Sequence, residues 1–178
     1  MSITSDTSLE EIAALVSEAL STANIDGVLG GGGAVTLYSQ NEYMSSDLDF
    51  ITSEQNRKIA PVVEKLGFVP RGRDYAHPNS KYFIEFPAGP LAFGDRYIDS
   101  NEATTLQTQY GAVRIITPTQ CVMDRIAWYA HGNDRQSRDQ AILVATQQHI
   151  DWEQVFDWAE DDGIDSNLVS EIQEEARR

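Results

Sequence analysis

The sequence predicts an α/β (α+β) region over residues 1–116 followed by a helical bundle over 117–178. Three observations carry that prediction. Leu9, Ile12, Ala13, Val16, Ala19 and Leu20 recur at helical spacing. Several short segments between Gly27 and Thr117 alternate apolar and polar residues, as half-buried strands do. Thr117-Pro118-Thr119-Gln120 then opens a stretch that reads as helix nearly to the end, with a capping threonine, proline at the first helical position and glutamine at the third.

Ser8 and Glu11 form a capping box at the head of the first helix. A short strand, Gly27-Val28-Leu29-Gly30, leads into the glycine run Gly30–Gly33, and a second helix follows over Ala34–Gln40. Ser45–Thr52 reads as a strand with Leu48 and Phe50 on one face and Asp47 and Asp49 on the other. A third helix covers Ser53–Leu66; Gly67 stops it, and Pro61 is expected to kink or shorten its first half. Phe68–Arg73, Lys81–Phe86 and Ala112–Thr117 supply further strands. Phe86–Tyr97, with proline and glycine at intervals, reads as a loop, either a plain connection or one wall of a substrate cleft. In the tail, helices break near His131-Gly132-Asn133-Asp134, before Asp151 and at Asp162–Asp165, with Asp134 capping the next helix. The tail is too small and too acidic to stand apart, so it is expected to pack on residues 1–116.

Hydrophobic residues make up 41% of the 178, enough for a sizeable core. The formal charge is −15, from 28 acidic and 13 basic residues, which opposes non-specific nucleic-acid binding without excluding a local basic groove. Residues 151–178 hold ten acids and two arginines, while Arg57, Lys58, Lys65, Arg71, Arg73 and Lys81 gather six of the cations into one stretch. No apolar run approaches bilayer length and the acidic N-terminus lacks a basic leader region, so a soluble cytoplasmic protein is expected. Cys121 stands alone and reads as a buried structural thiol. His77, His131 and His149 are too dispersed for a metal site, and Trp128, Tyr129, Trp152, Phe156 and Trp158 read as core.

The chemistry concentrates between Gly30 and Asp49. Residues i and i+2 of a strand share a face, so Asp47 and Asp49 present two carboxylates together. Such a pair repels unless a cation neutralises it, and hard oxygen ligands suit Mg²⁺ or Mn²⁺. A two-metal phosphoryl-transfer site wants a third carboxylate from a neighbouring strand. Lys81–Phe86 offers Glu85, opposite a core face made by Tyr82, Ile84 and Phe86. D-x-D pairs also occur in solvated turns, and it is the strand setting with a lone acid on a second strand that favours the site. Glycines ahead of a helix let backbone N–H groups approach phosphates, although a glycine run is also a common tight turn. Neither a Walker loop nor a G-x-G-x-x-G fingerprint is present.

The pattern LGGGGAVTLY…YMSSDLDF resembles the minimal nucleotidyltransferase superfamily, the fold related to DNA polymerase β. It is similar above all to the abortive-infection and toxin-like branch, with its G-G-T-A-x-x-L-Y and R-x-S/T-x-D-[IL]-D motifs. The resemblance implies a nucleotidyltransferase-like mixed sheet flanked by helices, with a C-terminal helical bundle. It also implies that Asp47 and Asp49 bind two divalent ions and that Glu85 is the third, catalytic carboxylate. Gly31 and Gly32, with Gly33 completing the run and Ser45 beside the aspartates, would hold the phosphates of a nucleoside triphosphate. DRIAWYAHGNDRQSRDQAILV is similar to the family's basic helix, which brings in Arg135, Arg138 and Asp139 as nucleotide contacts, and the Arg71–Lys81 cluster is a further source of positive charge. Tyr43 stands where members usually carry Arg or Lys, and Gly33 where they carry Thr or Ser; both lost groups could contact phosphates.

The implied activity moves a nucleoside monophosphate from an NTP to an acceptor hydroxyl, with Mg²⁺ or Mn²⁺ as cofactor. By family the acceptor is a tRNA end, as for a toxin-like enzyme; the variant is a small-molecule or protein acceptor. The alternative is an inactive member serving as a binding or regulatory module, for example with a cognate antitoxin.

Overall fold

The computed structural model describes residues 3–94 and 96–178; Met1 and Ser2 of the acidic N-terminus and Asp95 of the proline- and glycine-containing loop lie outside the described residues. The first helix, α1 (Leu9–Thr22), starts where Ser8 accepts the Glu11 amide and buries Leu9, Ile12, Ala13, Val16 and Leu20. Strand β1 (Val28–Gly30) runs straight into α2 (Gly31–Tyr38), and the chain returns as β2 (Asp47–Ile51). After α3 (Asn56–Glu64) come β3 (Val69–Arg71), β4 (Asp74–Ala76) and β5 (Phe83–Glu85). A two-stranded ribbon, β6 (Ala92–Phe93) with β7 (Arg96–Tyr97), precedes the hairpin β8 (Thr104–Thr108) and β9 (Gly111–Ile115). Four helices follow: α4 (Pro118–Gly132), α5 (Arg135–Gln147), α6 (Trp152–Asp161) and α7 (Ser166–Ala176).

Among the described residues seven strands form one mixed sheet in the order β3-β4-β5-β2-β1-β9-β8. β2 lies antiparallel to β1 and parallel to β5, so the D-x-D strand sits at the sheet's centre. Its buried face, Leu48 and Phe50, enters the core with Leu29, Ile84 and Ile115, all fully enclosed. α1 covers β9, where Ser17 Oγ accepts the Arg114 amide at 2.8 Å. α4 closes the other side of the site and carries a complete capping box at Thr117 and Gln120. Tyr38 Oη donates to the Ile116 carbonyl at 2.6 Å, which ties the end of α2 to the strand leading into α4.

Several sequence expectations are corrected here. Gly31–Gly33 are the first turn of α2 rather than a loop ahead of it, and α2 ends at Tyr38. α3 starts at Asn56 and continues through Pro61, so the proline is tolerated within a shortened helix. The strand expected at Phe68–Arg73 is the shorter β3, which pairs in a hairpin with the unexpected β4, and β8 was not expected either. Trp128 is exposed rather than core, at 57%. Trp158 is fully buried, with its indole N–H on the Phe93 carbonyl at 3.3 Å, and Cys121 is buried as expected. No helix among the described residues is long and apolar enough to cross a membrane.

Leu48 joins the core and the site strand in one residue. Leu48→Ala should lower unfolding free energy by about 2–5 kcal/mol, seen as an earlier urea midpoint with an unchanged slope.

Candidate active site

The site forms where β1 gives way to α2 beside β2. Their register pairs Gly30 with Asp49, so the Asp49 side chain lies over the start of α2. Gly31 adopts φ +55°, and a methyl group on it would overlap the Asp49 carboxylate. Only glycine meets both conditions. A Cβ on Gly32 would come within 2.8 Å of Ser45 Oγ. Gly33 faces inward instead: its missing side chain would press on Leu48 and Leu29 at 3.0 and 3.1 Å. Any phosphate contact at Gly33 is therefore confined to its backbone, and a Thr or Ser side chain would point into the core.

A polar thread couples this turn to the aspartates. Thr36, fully buried, donates its hydroxyl to the Gly32 carbonyl at 3.0 Å and accepts the Ser45 amide at 2.9 Å. Ser45 Oγ then donates to Asp47 Oδ1 at 2.7 Å. Ser45 is thus a positioning group for Asp47.

Gly30, Gly31, Gly32, Ser45, Asp47 and Asp49 line a cleft of about 510 Å³. Its opposite walls are the Pro87–Phe93 segment and α4, with the start of α5 at one end. The Phe86–Tyr97 stretch therefore does form a cleft wall. Asp124 and Arg125, which the sequence reading did not single out, line the cleft, and Trp128, read there as core, joins them. Arg125 Nη2 and Nε donate to Asp124 Oδ2 at 2.6 and 3.1 Å, and Nη1 donates to Gln140 Oε1 at 3.2 Å. The Gly31 amide and the Trp128 indole N–H also face Asp124 and favour its charged form, against the burial that raises its pKa. Burial acts to lower the Arg125 pKa, but Asp124 outweighs it and the net shift is upward. An adjacent acid and arginine inside an otherwise apolar helical run was the signal available in the sequence.

Other expected contacts fall elsewhere. On α5 the residues lining the cleft are Gln136 and Gln140, next to the capping Asp134, and Arg135, Arg138 and Asp139 are not among them. Arg138 pairs with Glu175 on α7, and Arg135 and Asp139 are exposed. Arg71 and Lys81 lie over the Phe83 and Tyr82 rings, outside the cleft lining. Glu85 is in register with Asp49 on the adjacent parallel strand. Its carboxyl faces Asp74 on β4, and burial first, then Asp74, raise its pKa. Glu85 does not line the cleft, and among the described residues no three acidic, histidine or cysteine side chains converge as a ready-made metal set.

The donor chemistry nonetheless fits a divalent cation. Burial, then Asp47 and then Glu85, push Asp49 up to about 7 from an ordinary 3.8, so the protein alone leaves carboxylate charge there uncompensated. Hard oxygens in that state are the ligands Mg²⁺ or Mn²⁺ favours.

No protein-family model matches the sequence, and no curated protein does. Among solved structures the chain is similar to an antigenic nucleotidyltransferase-like protein from Paracoccidioides brasiliensis, with a TM-score of 0.60 and 16% identity over 94% of each chain. It is also similar to ANT(2")-Ia in complex with adenylyl-2"-tobramycin, with a TM-score of 0.55 and 14% identity over 93% of this chain and 97% of that one.

Two measurements probe the site directly. Because folded Asp49 holds its proton more tightly than an unfolded chain does, stability of the metal-free protein should fall as pH rises from about 4 to about 7 and level off above. Asp49→Asn should therefore raise Tm in EDTA at pH 8, leave it nearly unchanged near pH 4, and remove any Tm gain from added Mg²⁺. Gly31→Ala should cost about 1–3 kcal/mol of stability, measured by urea unfolding, since it strains the backbone and displaces Asp49. The layered sheet and helices, and the agreement in length with both solved structures, establish that this chain has the nucleotidyltransferase fold.

Proposed function

We propose that the protein is a metal-dependent nucleotidyltransferase that moves a nucleoside monophosphate from an NTP to an acceptor hydroxyl. The observation that carries this reading is the contact between the Gly31–Gly32 turn, at the positive end of α2, and the Asp47–Asp49 pair of β2. Asp47 and Asp49 would hold Mg²⁺ or Mn²⁺, and Glu85, in register on the next strand, would be the third ligand once turned from Asp74. When bound, the ions neutralise the triphosphate and lower the pKa of the acceptor hydroxyl. The first-turn amides of α2 face the phosphates, and Ser45 fixes the Asp47 rotamer. Arg125, the only basic residue lining the cleft among the described residues, supplies the protein's own positive charge to the leaving group. The acceptor oxygen bonds to the α-phosphorus as the bond to the bridging oxygen breaks. Pyrophosphate leaves with that electron pair, and the hydroxyl proton passes to the carboxylate row.

A small hydroxyl-bearing acceptor with amine character suits the cleft better than a tRNA end. Asp47, Asp49, Asp124 and Asp134 outnumber the single arginine there, and the chain carries −15 overall. ANT(2")-Ia, of the same fold, was solved with an adenylylated aminoglycoside. A second reading, a binding module without catalysis, draws support from Glu85 facing Asp74 and from Tyr43 in the cleft lining.

Incubation with each α-³²P-labelled NTP, Mg²⁺, and either total RNA or a panel of aminoglycosides and polyamino alcohols tests the reading. Label is expected on a small acceptor, and Asp49→Asn should reduce transfer by at least about 100-fold. Label on RNA would overturn the acceptor class only. Mg²⁺-dependent NTP binding without transfer to any acceptor would favour the binding module.

A further inference from the structure

We propose that Trp128 is the stacking wall of a nucleobase subsite and that the site prefers purine over pyrimidine nucleoside triphosphates; this rests on the nucleotidyltransferase reading above. Trp128 is 57% exposed on a helix whose preceding residues, Cys121 to Ala127, are all buried. Lone exposed apolar residues are ordinary, but this one borders two concavities. One is the 510 Å³ cleft, and the other is an adjoining cavity of about 370 Å³ that includes Ala92, His131 and Gly132. The indole therefore borders both concavities.

The ring is also held in place. Its N–H faces Asp124, a buried carboxylate fixed by Arg125 at 2.6 Å, and Arg125 is fixed in turn by Gln140. Gly132, one turn further on, leaves the ring's edge uncovered; a Cβ there would sit 3.5 Å from Trp128 Cε3. A fixed, exposed indole loses little rotamer freedom when a second ring stacks on it.

Position completes the case. Asp124 faces the Gly31 amide, at the proposed phosphate end, and Trp128 lies four residues along the same helix. That is about one turn, or roughly 6 Å of rise, the scale of the ribose between a phosphate and its base. The polar groups nearby are largely committed: Asp134 accepts from the Gln136 amide and from Ser137 Oγ, and Gln140 Oε1 accepts from Arg125. Recognition therefore falls to the ring face, where stacking rewards the larger bicyclic base.

The test is Mg²⁺-dependent binding of ATP, GTP, CTP, UTP and base-free tripolyphosphate to the full chain, as wild type, Trp128→Phe and Trp128→Ala. Circular dichroism first confirms that both variants are folded. Wild type should bind the purine nucleotides more tightly than the pyrimidine ones, with quenching of tryptophan fluorescence, and Trp128→Ala should weaken purine nucleotide binding about 5- to 100-fold. Trp128→Ala should lose most of that preference while keeping its tripolyphosphate affinity. Trp128→Phe should retain part of the preference but lose the quenching, although Trp152 and Trp158 remain. An unchanged base preference in Trp128→Ala, or an equal loss of tripolyphosphate binding, would overturn the assignment of Trp128 alone. Failure of every NTP and of tripolyphosphate to bind wild type would overturn the nucleotidyltransferase reading, and this inference with it.

Discussion

The Asp49 carboxylate lies against the Cα of Gly31, and the rest of the cleft is arranged around that contact. The Gly30–Asp49 register brings the side chain there, and the left-handed backbone at Gly31 makes room for it. An anion at a helix start is favourable. The same place is crowded with negative charge, because Asp47 shares the strand face and Glu85 sits in register beside it. The protein thus builds a position that attracts carboxylate and repels more of it. A cation with hard-ligand preference would relieve that conflict, and the fold supplies a turn of backbone amides next to it.

Positive charge is rationed accordingly. Of the expected cationic contacts, Arg138 is spent on Glu175, and Arg71 and Lys81 lie over the Phe83 and Tyr82 rings. Arg125 alone reaches the cleft lining among the described residues, and it does so buried and clamped by Asp124 and Gln140. A guanidinium fixed in that way acts as a preorganised charge rather than a mobile clamp, which is the form electrostatic stabilisation favours.

How much of this could be read from the sequence depended on whether a signal was local. The Asp47/Leu48 alternation, the capping sets at Ser8, Thr117 and Asp134, and the breaks before Asp151 and at Asp162–Asp165 are written in neighbouring residues, and the elements they imply are present. β8 escaped notice because Thr104–Thr108 is an edge strand with Leu106 as its one large apolar residue. β4 was missed because its three residues, Asp74–Ala76, begin just past the stretch that reads as a strand. Arg135, Arg138 and Asp139 misled because motif spacing does not say which face of α5 meets the sheet. Trp128 misled because helical periodicity marks an apolar stripe without saying where the neighbouring layer stops. Glu85 was correctly placed on a strand beside the aspartates, but the pull of Asp74 is a cross-strand effect that no linear pattern displays.

The polar thread from Gly32 through Thr36 and Ser45 to Asp47 stays within one short stretch of chain. The half of the cleft proposed to carry the chemistry is therefore closed by short loops, with little entropy lost in assembling it. The wall made by α4 and α5 joins it only through long-range contact, from another part of the sequence. Such a division separates two kinds of heritable change. Substitutions along residues 118–140 other than Asp124 and Arg125 can alter what the cleft admits while the Gly31–Asp49 unit is inherited intact, so the fold can exchange substrates without rebuilding its reaction centre.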